Sequence, residues 1–208
     1  MIITWHGEGC FRFQNGDTSL LTDIPQTVSG IVAPRFSPSV YVKTITALPL
    51  DAQENEKGEV TIRGGGEYDI KEIKIKGVGL DAEASEKFFK TIYRLVWEDI
   101  TIGLLGHIAQ EPSPLLLEEF EDLDVLVGPG GGDPFLGQEK MIKLIKQLHP
   151  KIFIPSFYKI AGLKRKSDDV KKILDDFNGD VEQGKEKFVF KKKDLVDIKK
   201  TKVICFKP

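Results

Sequence analysis

The hydrophobic period changes once along the chain, near residue 113, and that change limits the folds open to it. Before it, apolar residues alternate or form short β-rich runs at 2–5, 10–14, 19–22, 40–48, 59–62, 69–78, 91–97 and 100–105. Asn15-Gly16-Asp17 predicts a hairpin between the second and third runs, and Glu98-Asp99 predicts another. A helical pattern has room only around 82–89. After the change, helices and strands alternate. Ser113 at the N-cap and Pro114 at the first helical position open a helix running to about Leu123. A buried strand over 124–128 ends in a glycine-rich turn at 128–133. Gln138–Leu148 places Met141, Leu144, Ile145 and Leu148 on one helical face, and 151–155 is a further apolar strand. Ser167–Asn178 reads as a helix capped by Ser167, lined by Val170, Ile173, Leu174 and Phe177, and stopped at Gly179. Strands at 188–190 and 203–206 close the chain. Strands first, then alternation, predict a single α/β domain over 1–208 with helices packed on sheets.

Composition narrows the chemistry. With 40% apolar and 30% charged residues among 208, the chain can bury a real core, which excludes a disordered or fibrous class. No apolar run is long enough to span a bilayer, so no membrane association is expected. The start, Met1-Ile-Ile-Thr-Trp-His6, has no basic segment followed by an apolar stretch, so a cytoplasmic protein is expected. Cys10 and Cys205 are the 2 cysteines and form no CxxC pair, which excludes a disulfide framework and a thiolate zinc site. The 3 histidines, His6, His107 and His149, form neither an HxH nor an HExxH pair. Charge is uneven: residues 1–138 hold 11 Lys+Arg against 22 Asp+Glu, and residues 139–208 hold 19 against 10. The basic third suits either an anionic partner such as nucleic acid or, more simply, solvated lysine faces interleaved with acids.

Several short motifs, in order, resemble the small metallo-β-lactamase-fold hydrolases, in the branch similar to ascorbate-6-phosphate lactonase. They are Ile3-Thr-Trp-His-Gly-Glu-Gly-Cys-Phe-Arg-Phe13, Leu20-Leu-Thr-Asp23 followed by Pro25, Gly64-Gly-Gly-Glu-Tyr-Asp-Ile70, Ile102-Gly-Leu-Leu-Gly-His107, Asp124-Val-Leu-Val-Gly-Pro-Gly-Gly131, and Pro150-Lys-Ile-Phe-Ile-Pro-Ser-Phe-Tyr158. The resemblance spans about residues 1–160. It implies an αββα sandwich, two facing mixed sheets with helices outside. It also implies an active site of histidines and carboxylates holding divalent metal and a hydroxide.

The ligand positions depart from that pattern. The stretch matching the family's His-x-His-x-Asp-His loop is Val42-Lys-Thr-Ile-Thr-Ala-Leu-Pro-Leu-Asp-Ala-Gln53, which has no histidine. The family's later histidine is replaced by Gly79-Leu80-Asp81, its bridging aspartate by His107, its last histidine by Phe157, and its N-terminal histidine by Glu8. Only Asp23 keeps its type, and in this fold that residue supports the metal loop from behind rather than ligating.

These departures predict a degenerate member of the fold, a non-catalytic binding or scaffold protein expected to need no cofactor. Its partner would be a small molecule or another protein, and homo-oligomers are possible for this branch. A metal-dependent hydrolase of phosphoesters or lactones, with a rebuilt site around His107, is the alternative. Its catalytic candidates are His107, Asp23 and Glu8, and its metal candidates are His107, Asp51 and Asp81. One divalent ion such as Zn²⁺ or Mn²⁺ would suit such a set. His6, Asp133 and Tyr158 are the other side chains placed near the cleft by order along the chain. Nucleic-acid binding through the basic third is a second alternative. His149, before Pro150, reads as a helix C-terminal residue of structural use. Cys10 reads as a small buried hydrophobe.

Overall fold

Two-residue turns organise the first hundred residues. The protein is described here by a computed structural model covering residues 1–50 and 60–207. Strand β1 (Ile2–Trp5) pairs antiparallel with β2 (Phe11–Asn15), which turns at Gly16-Asp17 into β3 (Thr18–Thr22). β4 (Val40–Lys43) and β6 (Val60–Arg63) extend this sheet in parallel. The strand β5 (Ile45–Ala47) leaves it and pairs with the second sheet. That sheet opens as an antiparallel meander of β7 (Gly66–Ile70), β8 (Ile73–Gly79), β9 (Phe88–Trp97) and β10 (Ile100–Leu104).

The chain beyond residue 113 adds parallel strands to the second sheet. After the short helix α1 (Pro114–Glu118), β11 (Val125–Pro129) pairs with β10. Helix α2 (Gln138–Leu148) leads to β12 (Ile152–Ser156), and α3 (Lys171–Asp176) to β13 (Val181–Lys185). β14 (Lys187–Val189) crosses to the first sheet and pairs with the outer edge of β1. Helix α4 (Lys192–Leu195) then precedes β15 (Lys202–Phe206), which lies between β12 and β13. The sheet orders are β14-β1-β2-β3-β4-β6 and β13-β15-β12-β11-β10-β9-β8-β7, with β5 on β9.

Apolar faces of both sheets form one core. Phe11, Phe13 and Leu20 from the first meet Leu95, Ile102, Val125 and Phe153 from the second. This is the two-sheet sandwich that the motif order implies, and its helices are few. Helix α2 has the expected boundaries, and its buried residues Met141, Ile142, Leu144, Ile145 and Leu148 form one stripe. His149 ends it in the left-handed region, its N–H bonded to Ile145 O, as a structural cap. Cys10 is fully buried.

Several expected elements are corrected. The run 40–48 is two strands, because Thr44 turns its N–H and hydroxyl to the Asp23 carboxylate and the backbone leaves the first sheet there. The run 69–78 is a hairpin whose turn, Lys71-Glu72, has φ of 51° and 67°. The step of three from Ile70 to Ile73 breaks the period of two, which a single strand would keep. Residues 82–89 do not form an α-helix: a 3-10 turn over Asp81–Glu83 gives way to a tight turn closed by a Ser85–Phe88 bridge, and Phe88 already belongs to β9. The helix expected over 113–123 ends at Glu118. Ser167 does not cap a helix either. Its hydroxyl donates to Phe157 O at 2.7 Å, and α3 starts at Lys171. Strand β13 and helix α4 carry no clear period in the sequence.

Candidate functional site

Parallel strands of both sheets end at one cleft, the usual location for a ligand in such sheets. Asp23 follows β3, Thr44 follows β4, His107 follows β10, and Phe157 follows β12. Glu8 enters from the turn between β1 and β2. The cleft encloses about 780 Å³, and Glu8, Asp23, His107, Phe135, Phe157 and Arg165 line its floor with the strand residues Tyr41, Lys43 and Ile45. Segment 24–29 forms one wall, held by the Lys164 N–H donating to Ser29 O at 2.9 Å. Beyond this wall Phe36 lies beneath the Arg12 guanidinium at 4.4 Å.

A hydroxyl joins the two central titratable groups. Thr44 Oγ1 lies 2.6 Å from Asp23 Oδ2 and 2.7 Å from His107 Nδ1, while the Thr44 N–H donates to Asp23 Oδ1 at 2.8 Å. Asp23 and His107 themselves stand 3.8 Å apart. The close approach needs glycine at 106. A Cβ there would lie 2.1 Å from Thr44 Oγ1, and the residue has φ of 51°. Burial pushes Asp23 up to about 7 against the Thr44 bonds and Lys43. It also pushes His107 down to about 3, helped by the charges of Lys90 and Arg165. Near neutrality the imidazole is therefore uncharged, and the carboxyl holds or loses its proton with little bias.

Aromatic rings fill the space beside His107. Phe157, only 2% exposed, lies 4.8 Å from the imidazole and 4.2 Å from Phe135, centroid to centroid. Its ring packs so closely on Gly9 that an added Cβ there would stand 2.5 Å from Cζ. Glu8 is clamped by Arg165, with Nη2 donating to Oε2 at 2.9 Å and Nε to Oε1 at 3.4 Å. The same guanidinium donates to Phe157 O at 2.8 Å and covers the Phe135 ring at 5.0 Å.

Of the residues singled out from the sequence, Glu8, Asp23 and His107 meet in the cleft. Asp81 does not: it is exposed in the turn after β8 and lines no part of it. Asp51 lies outside the described residues. Tyr158 points the other way, stacked on Trp5 at 4.6 Å with its hydroxyl donating to Phe206 O at 2.5 Å. His6 packs against Phe36, and burial holds it below the usual imidazole range. Asp133 is exposed outside the cleft. The glycines at 130–132 are buried, and the Gly130 N–H donates to Ser156 O at 2.7 Å. Sequence reasoning missed Thr44 and Arg165. Thr44 carries no signal within its β-branched run. Arg165 does carry one, being the single arginine among the 19 cations of 139–208, and a planar fork is what a bidentate carboxylate contact requires.

Part of the charge of the basic third is paired with nearby acids among the described residues. Lys146 pairs with Asp176, Lys172 with Glu139, and Lys185 and Lys202 with Glu182. Lys192–Asp124 and Arg165–Glu8 link it to the acidic part. No helix among the described residues is long and apolar enough to cross a membrane.

A family profile described as the β-lactamase superfamily domain matches residues 2–156. The chain belongs to that family. A Thermotoga maritima structure, a candidate Zn-dependent hydrolase of the metallo-β-lactamase superfamily, superposes on this metallo-β-lactamase-fold protein with a TM-score of 0.80. It is 24% identical, with 99% of this chain and 97% of that one covered. Igni18, a metallo hydrolase from Ignicoccus hospitalis, is 15% identical over 91% of this chain and 99% of its own, with a TM-score of 0.64. YhfI from Bacillus subtilis, a metallo-β-lactamase-fold protein, is 13% identical over 91% and 98%, at 0.62. At these identities the likeness is one of fold. A comparison with curated proteins gave no match.

The donors among the described residues do not fit the metal that the family implies. Among the described residues no group of three His, Cys, Asp or Glu side chains converges on a point. His107 Nδ1 is committed to Thr44, the Glu8 carboxylate to Arg165, and an aromatic ring stands at 157. Coordination needs several free nitrogen or oxygen donors at about 2 Å from one centre.

Proposed function

We propose that this member of the family is a metal-independent binding protein, using the cleft of a hydrolase fold to hold a ligand rather than to hydrolyse one. The observation that carries the reading is the set of bonds already made there. The Asp23–Thr44–His107 chain engages the Asp23 carboxyl and the Nδ1 of His107, the clamp on Arg165 engages the Glu8 carboxylate, and Phe135 and Phe157 complete the floor. A wet, metal-activating site needs donors left open toward solvent. Here the donors serve to position one another, while a cavity of about 780 Å³ remains, within the usual range for small-molecule sites.

Elemental mass spectrometry on protein purified without chelators tests this, joined to thermal melts with added Zn²⁺, Mn²⁺ and Mg²⁺. An ion at a hundred times its dissociation constant stabilises the folded state by about 2.7 kcal/mol. For a domain of this size that is a rise of roughly 5–10 °C. We expect less than about a tenth of an equivalent of metal and no such rise. Near-stoichiometric metal, lost in His107→Ala, would overturn the reading and favour a hydrolase with a rebuilt site.

A further inference from the structure

The charges lining the cleft are unequal. Its cationic residues are Lys43, Lys87, Lys164 and Arg165, and its acids are Glu8 and Asp23. Arg165 neutralises Glu8, and Lys43 offsets the charge on Asp23. Lys87 and Lys164 are left exposed at the opening, and neither ammonium meets a carboxylate among the described residues. The lining between them and the floor is apolar, with Ile24, Phe88 and Val28, and Ile45 continues it into the floor. Lysine ammonium groups above such walls suit a ligand with one charged end and one greasy end.

We propose that the cleft takes a small organic anion: a carboxylate or phosphate held by Lys87 and Lys164, carried on an apolar body of one or two rings lying against Phe88 and Ile45. The proposal rests on the metal-independent reading above, because a metal would itself take the anionic group. It specifies polarity as well as class. The anion stays at the opening, where the ammonium groups are still hydrated, and the body goes inward toward Phe135. That is the lower-cost arrangement, since neither the anion nor the lysines are fully desolvated.

Titration calorimetry with four probes tests the proposal: phenyl phosphate, 3-phenylpropionate, inorganic phosphate and the neutral 3-phenylpropanol. Both aryl anions should bind, with inorganic phosphate and the alcohol at least about tenfold weaker, and phenyl phosphate against phenylpropionate reads which head group is preferred. In the doubly substituted Lys87→Ala/Lys164→Ala protein the aryl anions should weaken by roughly tenfold or more. Both lysines are exposed, so folding should be unaffected, and the melting temperature checks this. Equal binding of alcohol and anions, no effect of the double substitution, or no binding of any probe would overturn the proposal. The metal content of the same sample separates the two failures. A metal-free protein that ignores the anions refutes this inference alone, whereas stoichiometric metal refutes the reading on which it rests.

Discussion

The Asp23–Thr44–His107 chain makes a quantitative statement about pH. The unfolded chain ionises Asp23 near 3.8 and His107 near 6.5, whereas the folded protein shifts them to about 7 and about 3. Raising the carboxyl means that the folded state holds a proton the unfolded state has lost, so that group's stabilisation fades as pH rises from about 4 to 7. Lowering the imidazole does the reverse, so stability grows as pH rises from about 3 to 6.5. Each proton is worth about 1.4 kcal/mol per pH unit. Between pH 4 and 6.5 both states hold one proton on the pair, on the carboxyl when folded and on the imidazole when unfolded. The opposed slopes cancel, and the wild-type protein hides both. Single substitutions reveal them. Between pH 4.5 and 6.5, Asp23→Asn should gain about 2–3 kcal/mol of stability relative to wild type, and His107→Gln should lose a similar amount. Urea unfolding at the two pH values, with all three proteins in the same buffers, reads the slopes. Other titrating groups contribute equally to the three and drop out of the comparison. If both variants kept the wild-type slope, the pair would not be neutral in the fold and the argument would fail.

Two further outcomes follow from geometry. Phe157→Ala removes a ring buried between His107, Phe135 and Gly9, and should cost about 3–5 kcal/mol in urea unfolding, less if water from the cleft fills the space. Glu72→Gly should stabilise the protein by about 0.5–1 kcal/mol. The residue sits at φ of 67° in a two-residue turn, where relief of left-handed strain outweighs the entropy glycine adds to the unfolded chain. A fall in unfolding midpoint would refute it.

The sequence carried much of this architecture because its signals were local. Met141, Leu144, Ile145 and Leu148 recur at helical spacing and place α2. Gly16-Asp17 and Glu98-Asp99 sit between short β-rich runs and place two hairpins. The order of six motifs, each weak alone, carried the two-sheet arrangement. In the cleft, Asp23, His107 and Glu8 were found because each stands where a strand or turn of those motifs ends. What remained illegible depends on distant partners. Thr44 ends a strand for the sake of a carboxylate 21 positions earlier, and Glu8 meets Arg165 157 positions later. Tyr158 was misplaced because β12 ends at Ser156 and Phe157 turns the backbone through a φ of 58°, which puts the Phe157 ring in the cleft and the Tyr158 ring on Trp5. Ser167 looks like a helix cap to anyone reading its neighbours, but its hydroxyl serves Phe157 O across the fold.

The pairing of β1 with β14 has a consequence for biosynthesis. Thr4 stands opposite Lys187, and Ile2 opposite Val189, so one edge of the first strand is completed only after residues 187–189 have been made. At translation rates of about 5–20 residues per second, that edge waits roughly ten to forty seconds with its amides and carbonyls unpaired. An open β edge is a template for pairing with other chains. The strand that closes this edge lies beyond residue 156, where the family match ends. Until residues 187–189 have been made, the outer edge of β1 stays open to such pairing, and the strand that closes it comes from far along the chain.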